Sequence, residues 1–129
     1  MPELHRSWIG GLRESGNASW PMCRLSMDNT GLTFEPSAAW LAWVLPTYRV
    51  RWSEIASIRP ARGALLGSHG VRFELHGPVS ALRRPRIPGL WPASARHPVF
   101  WCFGRDRDAI LAAVPDRSLV ESETDRVVL

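Results

Sequence analysis

Apolar and polar residues alternate along the segment that begins at Ser19, which is the pattern of a half-buried β-strand. Cys23, Leu25 and Met27 take one set of positions, separated by polar side chains. Residues 28–31, Asp-Asn-Thr-Gly, then supply a tight polar turn. The alternation resumes over residues 32–35. We therefore predict a β-hairpin in this part of the chain.

The clearest alternation lies in residues 48–52, where tyrosine, valine and tryptophan share one predicted strand face. Two further segments, 55–58 and 71–75, are also predicted strands, separated by Pro60 and a glycine-rich stretch. The chain thus continues as short strands joined by turns.

The remaining apolar segments are less regular. Residues 38–45 are apolar throughout, and two interpretations fit: a buried strand, or a loop packed on the core. Residues 77–98 hold five prolines, a density that forbids a helix or a central strand. We expect a long loop there, with a short edge strand near 79–82, followed by a last strand over 99–103.

One helix is predicted near the end of the chain, over Asp108–Val114. Asp106 or Asp108 provides the N-cap, and Pro115 ends the helix. Its apolar face consists of Ile110, Leu111 and Val114.

Six or seven short strands followed by one helix predict a mainly β fold, a barrel or sandwich with a C-terminal helix. We expect an N-terminal tail over residues 1–16, with Trp8 and Ile9 docking on the domain, and a domain over 17–118. Residues 119–129 form an acidic C-terminal tail that is either disordered or adds an edge strand.

Several of these segments resemble the PH-like domains of small bacterial proteins, over about residues 17–115. The resemblance implies two near-orthogonal antiparallel sheets capped by the helix, and a role in binding rather than catalysis. It rests on the following segments: Asn17-Ala18-Ser19-Trp20-Pro21 before Leu25, Gly31-Leu32-Thr33-Phe34, Val50-Arg51-Trp52-Ser53-Glu54-Ile55, Gly70-Val71-Arg72-Phe73, Val99-Phe100-Trp101 and the helix.

The family is best known for binding phosphoinositides through basic residues on its first two strands and the loop between them. The first predicted loop here, Asp28-Asn29-Thr30-Gly31, is acidic and has only Arg24 nearby. We therefore assign no phosphoinositide-binding residue at that loop.

Charge adds one feature to this picture. All 16 basic side chains are arginine, and the absence of lysine excludes Schiff-base chemistry and lysine-dependent ATP sites. Five of the arginines and no acid lie in residues 75–105, whereas residues 106–129 carry a net charge of −3. The net charge of +4 is therefore local.

The densest basic cluster consists of Arg83, Arg84, Arg86 and, farther along the loop, Arg96. Two interpretations remain open: an anion-binding site for lipid head groups or nucleic-acid phosphates, or a solvated loop. The tryptophans leave a similar choice between core packing and an exposed patch for a partner. Trp40, Trp43 and Trp91 are the candidates for partner binding, because no alternation fixes their faces.

No catalytic pair and no metal-ligand spacing stands out. Cys23 and Cys102 are far apart, no histidine lies close to either, and His69 and His76 would have to approach through the fold. We predict a non-enzymatic module without a cofactor or a small-molecule substrate. A protein partner or self-association is the leading hypothesis, and anion binding is the alternative. Without an apolar leader or a span of about 20 apolar residues, we expect a cytoplasmic location.

Overall fold

The computed structural model describes residues 5–14, 17–63, 69–87, 91–92, 94–122 and 125–127. Its fold is mainly β with one α-helix, as predicted. The strands are β1 (His5–Arg13), β2 (Asn17–Asp28), β3 (Gly31–Pro36), β4 (Thr47–Arg51), β5 (Ile55–Gly63), β6 (His69–Leu75), β7 (Val79–Arg83), β8 (Ser94–Ala95), β9 (Val99–Cys102) and β10 (Asp125–Val127). The helix α1 spans Gly104–Ala113, and short 3₁₀ helices cover Ala39–Trp43, Trp52–Glu54 and Arg117–Leu119.

The ten described strands form one hydrogen-bonded sheet in the order β10-β5-β6-β9-β1-β2-β3-β4-β7-β8. The strand pairs are antiparallel except for β10 with β5. The expectation was six or seven strands. The additional strands are β1, the two-residue β8 and the C-terminal β10.

The sheet curls around one main core, to which every strand from β1 to β9 and the helix contribute buried side chains. Phe34 of β3 and Phe73 of β6 meet edge to face, with ring centroids 5.4 Å apart, although three strands separate them in the sheet. The helix contributes Ile110, and Val114 directly after it is also buried. Curling lets a single sheet cover both sides of this core.

The N-terminal segment differs most from expectation. Residues 5–13, which we placed in a tail, form β1 between β9 and β2. Gly10 and Gly11 allow this position: a Cβ atom on Gly10 would lie 2.2 Å from the carbonyl oxygen of Trp101. Trp8 and Leu12 are buried on either side of them. Two glycines at packed positions give no hydrophobic signal, which is why the pattern concealed the strand.

Two boundaries also differ. The helix begins at Gly104, with Phe103 as N-cap and no side-chain cap, so Asp106 lies in the first turn and neither predicted aspartate caps it. β5 continues past Pro60 to Gly63. A proline is tolerated there because β5 is the last antiparallel strand on that side of the sheet.

For the ambiguous apolar run 38–45, the packed-loop interpretation is confirmed. Its centre is the 3₁₀ helix Ala39–Trp43, and Leu41 and Leu45 are buried in a second small cluster with Ala18. The backbone N–H groups of Val44 and Leu45 both donate to the carbonyl of Leu41. The run therefore folds on the sheet between β3 and β4 instead of extending it.

Candidate functional site

The most distinctive surface of the protein combines two exposed tryptophans with four arginines. We call Trp40, Trp43, Arg24, Arg83, Arg84 and Arg86 the arginine–tryptophan surface. The tryptophans belong to the 3₁₀ helix, one arginine to β2, and the other three to the end of β7 and the loop after it.

The 3₁₀ helix explains why the tryptophans are exposed. With three residues per turn, positions 40 and 43 lie on the same side, and burying Leu41 directs that side away from the core. Trp40 is 70% exposed and Trp43 is 52% exposed. Large aromatic side chains usually contribute to cores, so two tryptophans exposed on one side of a short helix are unusual.

Two contacts join this turn to the arginine loop. The backbone N–H of Ile87 donates to the carbonyl oxygen of Trp43 at 2.9 Å. The guanidinium carbon of Arg86 lies 4.9 Å from the centroid of the Trp43 ring, within range of a cation–π interaction. Trp43 is therefore joined directly to the arginine loop, and Trp40 lies on the same side of the 3₁₀ helix.

The arginines line an open groove of about 600 Å³ beside the turn. Arg24, Arg83, Arg84 and Arg86 are lining residues, together with one carboxylate, Glu35. Four guanidinium groups and one carboxylate give the lining a formal charge of +3.

Ion pairing separates these arginines from others in the protein. Arg49, Arg59, Arg72 and Arg107 each lie within 3.2 Å of a carboxylate, of Asp28, Glu121, Glu74 and Asp108 respectively. Among the described residues, no carboxylate forms an ion pair with any of the four groove arginines. The positive charge of the groove is therefore available to an external anion.

The remaining predicted site residues lie elsewhere or are packed. Arg96 lines a separate open pocket of about 320 Å³ with Glu74, His76 and His97. Its carbonyl accepts a hydrogen bond from the N–H of Leu75, which holds it at the end of β6. Trp91 is half-buried and packs against both the main core and the cluster beneath the 3₁₀ helix.

The sequence did not assign Arg24 to this cluster. It lies about sixty positions before Arg83, and only the pairing of β2 through β3 and β4 to β7 brings the two together. Its outward position on β2 could be predicted from the alternation with Cys23 and Leu25, but the identity of the strands beside it could not.

The turn at residues 28–31 has a structural role. One carboxylate oxygen of Asp28 accepts hydrogen bonds from the N–H groups of Thr30 and Gly31 and from Arg49. The hydrogen bond from Arg49 is the main reason that the pKa of Asp28 is held well below its usual range. Because β1 precedes β2, this turn connects the second and third strands of the chain and not the first two.

Of the thiols and histidines, Cys102 and His69 lie directly opposite each other in the pairing of β9 with β6. Burial raises the pKa of the Cys23 and Cys102 thiols to about 12, which keeps both protonated at neutral pH. His69 contacts Arg107, with 3.1 Å between its Nδ1 and an Arg107 nitrogen. His76 lies just past the other end of β6, roughly 23 Å along the strand by its rise per residue. The fold therefore keeps the two histidines apart.

Neither a metal-ligand cluster nor a membrane-spanning helix occurs among the described residues. No three side chains of the His, Cys, Asp and Glu types lie close enough together in this part of the chain to hold a metal ion. None of the helices described here is long and apolar enough to cross a bilayer. No known family model matches the chain, and no curated protein is similar to it.

Proposed function

We propose that this protein is a non-enzymatic, PH-like interaction module that binds a protein partner, or a second copy of itself, through the arginine–tryptophan surface. One observation carries the proposal: Trp40 and Trp43 are exposed on one side of the 3₁₀ helix, next to a groove whose four arginines outnumber its single carboxylate, Glu35. Tryptophan and arginine are the residue types most enriched at interface hot spots. The partner surface complementary to this one is acidic and offers apolar contact to the indole rings.

The strand count supports the PH-like part of the proposal. Within residues 17–115, the span of the resemblance, seven strands of four or more residues come before the single α-helix: β2 to β7 and β9. The resemblance implies the same elements in the same chain order. It also implies a break into two near-orthogonal sheets, which we propose for this curled sheet.

Self-association can be tested with size-exclusion chromatography and light scattering over a range of protein concentrations. A second copy on the surface requires a mass above the 14.5 kDa of one chain at high concentration. The double variant Trp40→Ser/Trp43→Ser should return the mass to that of one chain. Trp20→Ser is the matched control, because Trp20 is 53% exposed, contacts the Phe103 ring at a tilted angle and is not part of the arginine–tryptophan surface.

For a different protein as partner, a synthetic ten-residue peptide of alternating glutamate and leucine is a defined probe for calorimetric titration. It should bind the wild type and lose most of its affinity when the two tryptophans become serine. The proposal would be refuted if the protein is monomeric at all concentrations and does not bind this peptide.

The groove itself supports a second candidate function, an anion-binding module for lipid head groups or nucleic-acid phosphates. Four arginines and a single carboxylate in one groove are the observation that favours it. Each arginine at an anionic bilayer surface contributes about 1 kcal/mol, and phosphate binding of this kind weakens steeply with salt.

Co-sedimentation with phosphatidylserine vesicles and titration with duplex DNA, each at about 50 and 200 mM salt, test this candidate. The triple variant Arg83, Arg84, Arg86→Gln should lose binding. The triple variant Arg62, Arg96, Arg105→Gln makes the same change in net charge at exposed arginines outside the groove and should keep it. Equal loss in both variants would indicate attraction to net charge alone, and no binding by the wild type would exclude the candidate.

A further inference from the structure

The C-terminal segment runs along the outer edge of the sheet. After the 3₁₀ helix Arg117–Leu119, Val120 forms a parallel bridge with Ile58 of β5. The N–H of Glu121 then donates to the carbonyl oxygen of Ile58 at 2.8 Å. Farther along, β10 pairs in parallel with residues 61–63 of β5.

This pairing is unlike the rest of the sheet. β5 has an antiparallel neighbour, β6, on one side only, and the C-terminal segment covers the other side. Without the segment, backbone N–H and C=O groups of β5 would form an open edge able to pair with another strand. The segment is thus held as an added peptide would be, by backbone hydrogen bonds together with specific side-chain contacts.

Two side-chain contacts fix its position. Leu119 and Val120 pack against the rim of the main core. Glu121 forms an ion pair with Arg59 of β5, with 2.6 Å between Oε2 and Nη2. The pattern that fits the edge is therefore an apolar residue followed directly by a carboxylate.

The contact with Glu121 uses only part of the hydrogen-bonding capacity of the Arg59 guanidinium group. Its Nε is buried and has no hydrogen-bond partner among the described residues, while its Nη2 binds Glu121. A carboxylate placed to accept from Nε and Nη2 together would form the stronger bidentate geometry. The chain's own segment therefore occupies the edge with a single-nitrogen contact to Arg59. A peptide in trans can form the stronger bidentate contact.

We propose that the outer edge of β5 is a strand-addition site for an extended peptide of a partner protein that carries an apolar residue followed by a carboxylate. In the free protein, residues 120–121 and 125–127 fill this site in cis and compete with the partner. The site is independent of the arginine–tryptophan surface.

The test uses a synthetic peptide of residues 118–129 and the full chain carrying Val120→Asp and Glu121→Arg, which removes both anchors in cis. Calorimetry should show the peptide binding to this variant at least about tenfold more tightly than to the wild type. A tethered competitor at millimolar effective concentration produces a difference of that size. Hydrogen exchange should show loss of protection along residues 58–63 in the variant, and its recovery on adding the peptide.

Three controls decide the interpretation. Asp108→Arg makes the same charge reversal at an exposed carboxylate of α1 and should leave both readouts at their wild-type values. Adding Arg59→Ala to the double variant should lower its affinity for the peptide by about three- to fivefold. A peptide with arginine at position 121 should bind more weakly than the original.

The proposal is overturned if the folded double variant does not bind the peptide, or if variant and wild type bind it equally. If the double variant does not fold, Glu121→Arg alone serves in the same exchange measurement. If protection along residues 58–63 is unchanged in that variant, with or without the peptide, the C-terminal segment is a permanent part of the fold. That result would also overturn the proposal.

Discussion

Replacing Gly10 with alanine tests the most unexpected element of the fold, the internal position of β1. The new Cβ would lie 2.2 Å from the carbonyl oxygen of Trp101 and 2.7 Å from Cζ of Phe100. The first contact is with backbone, so a rotamer change cannot relieve it. β1 and β9 must separate locally by about 1 Å to restore an ordinary contact near 3.4 Å.

The cost follows from what that separation disturbs. β9 pairs with Gly11, Leu12 and Arg13 just beyond the site, and weakening two of these backbone hydrogen bonds costs about 2 kcal/mol. Overpacking adds about 1–3 kcal/mol, and the reduced freedom of the unfolded chain offsets about 0.4–1 kcal/mol. We expect a net loss of about 2–4 kcal/mol, which lowers the melting temperature by roughly 8–15 °C for a chain of this size.

Urea unfolding followed by far-ultraviolet circular dichroism measures this loss. Gly77→Ala is the matched control, because no heavy atom lies within 4 Å of a Cβ at that position; its unfolding free energy should stay within about 0.5 kcal/mol of wild type. The reasoning about β1 is refuted if both variants unfold at the same urea concentration with the same slope.

Three further predictions concern buried and paired groups. Because Cys23 is buried, which raises its pKa to about 12, it should react with a thiol reagent at pH 8 only as fast as the protein opens; rapid reaction of Cys23 in the native state would contradict its placement. Since the folded-state pKa of Asp28 is lowered, its contact with Arg49 stabilises the protein above the usual carboxylate pKa near 4 and is lost as pH falls below it. The exposed carboxylate limits this to less than about 1 kcal/mol, and Asp28→Asn should flatten the acid side of the stability curve, whereas an unchanged curve would count against the pair. Tyr48→Phe removes a 2.7 Å hydrogen bond to the carbonyl of Pro92 and should cost about 1 kcal/mol in urea unfolding; a neutral result would mean that the bond is absent in solution.

Period-two alternation was sufficient to predict the strands around the β2–β3 hairpin, β4 and β6, because each has one buried and one exposed face. It failed for β1, where glycines occupy two packed positions and shape complementarity replaces hydrophobicity. It also missed the two-residue β8, and it left β10 as one of two alternatives for the C-terminal tail, because such short pairings depend on tertiary placement.

The candidate site was predictable only in part, for a related reason. Arg83, Arg84 and Arg86 are close in sequence and remain close in space, while Arg96, on the same proline-rich loop, is drawn to β6 by a backbone hydrogen bond. Arg24 joins the groove through sheet order alone. The exposure of Trp40 and Trp43 follows from the 3₁₀ geometry, which apolar composition does not specify.

The contrast among the tryptophans gives the protein an intrinsic optical reporter. Trp8 and Trp101 are each only 8% exposed, whereas Trp40 and Trp43 face solvent and Trp43 lies beside a guanidinium group. Iodide, an anionic quencher, should therefore be concentrated by the groove arginines and should quench the emission of these two indoles first. Occupation of the surface would remove the quenching that Trp40 and Trp43 contribute, leave that of the exposed Trp20, and shift the emission to shorter wavelength, so binding can be followed without a label.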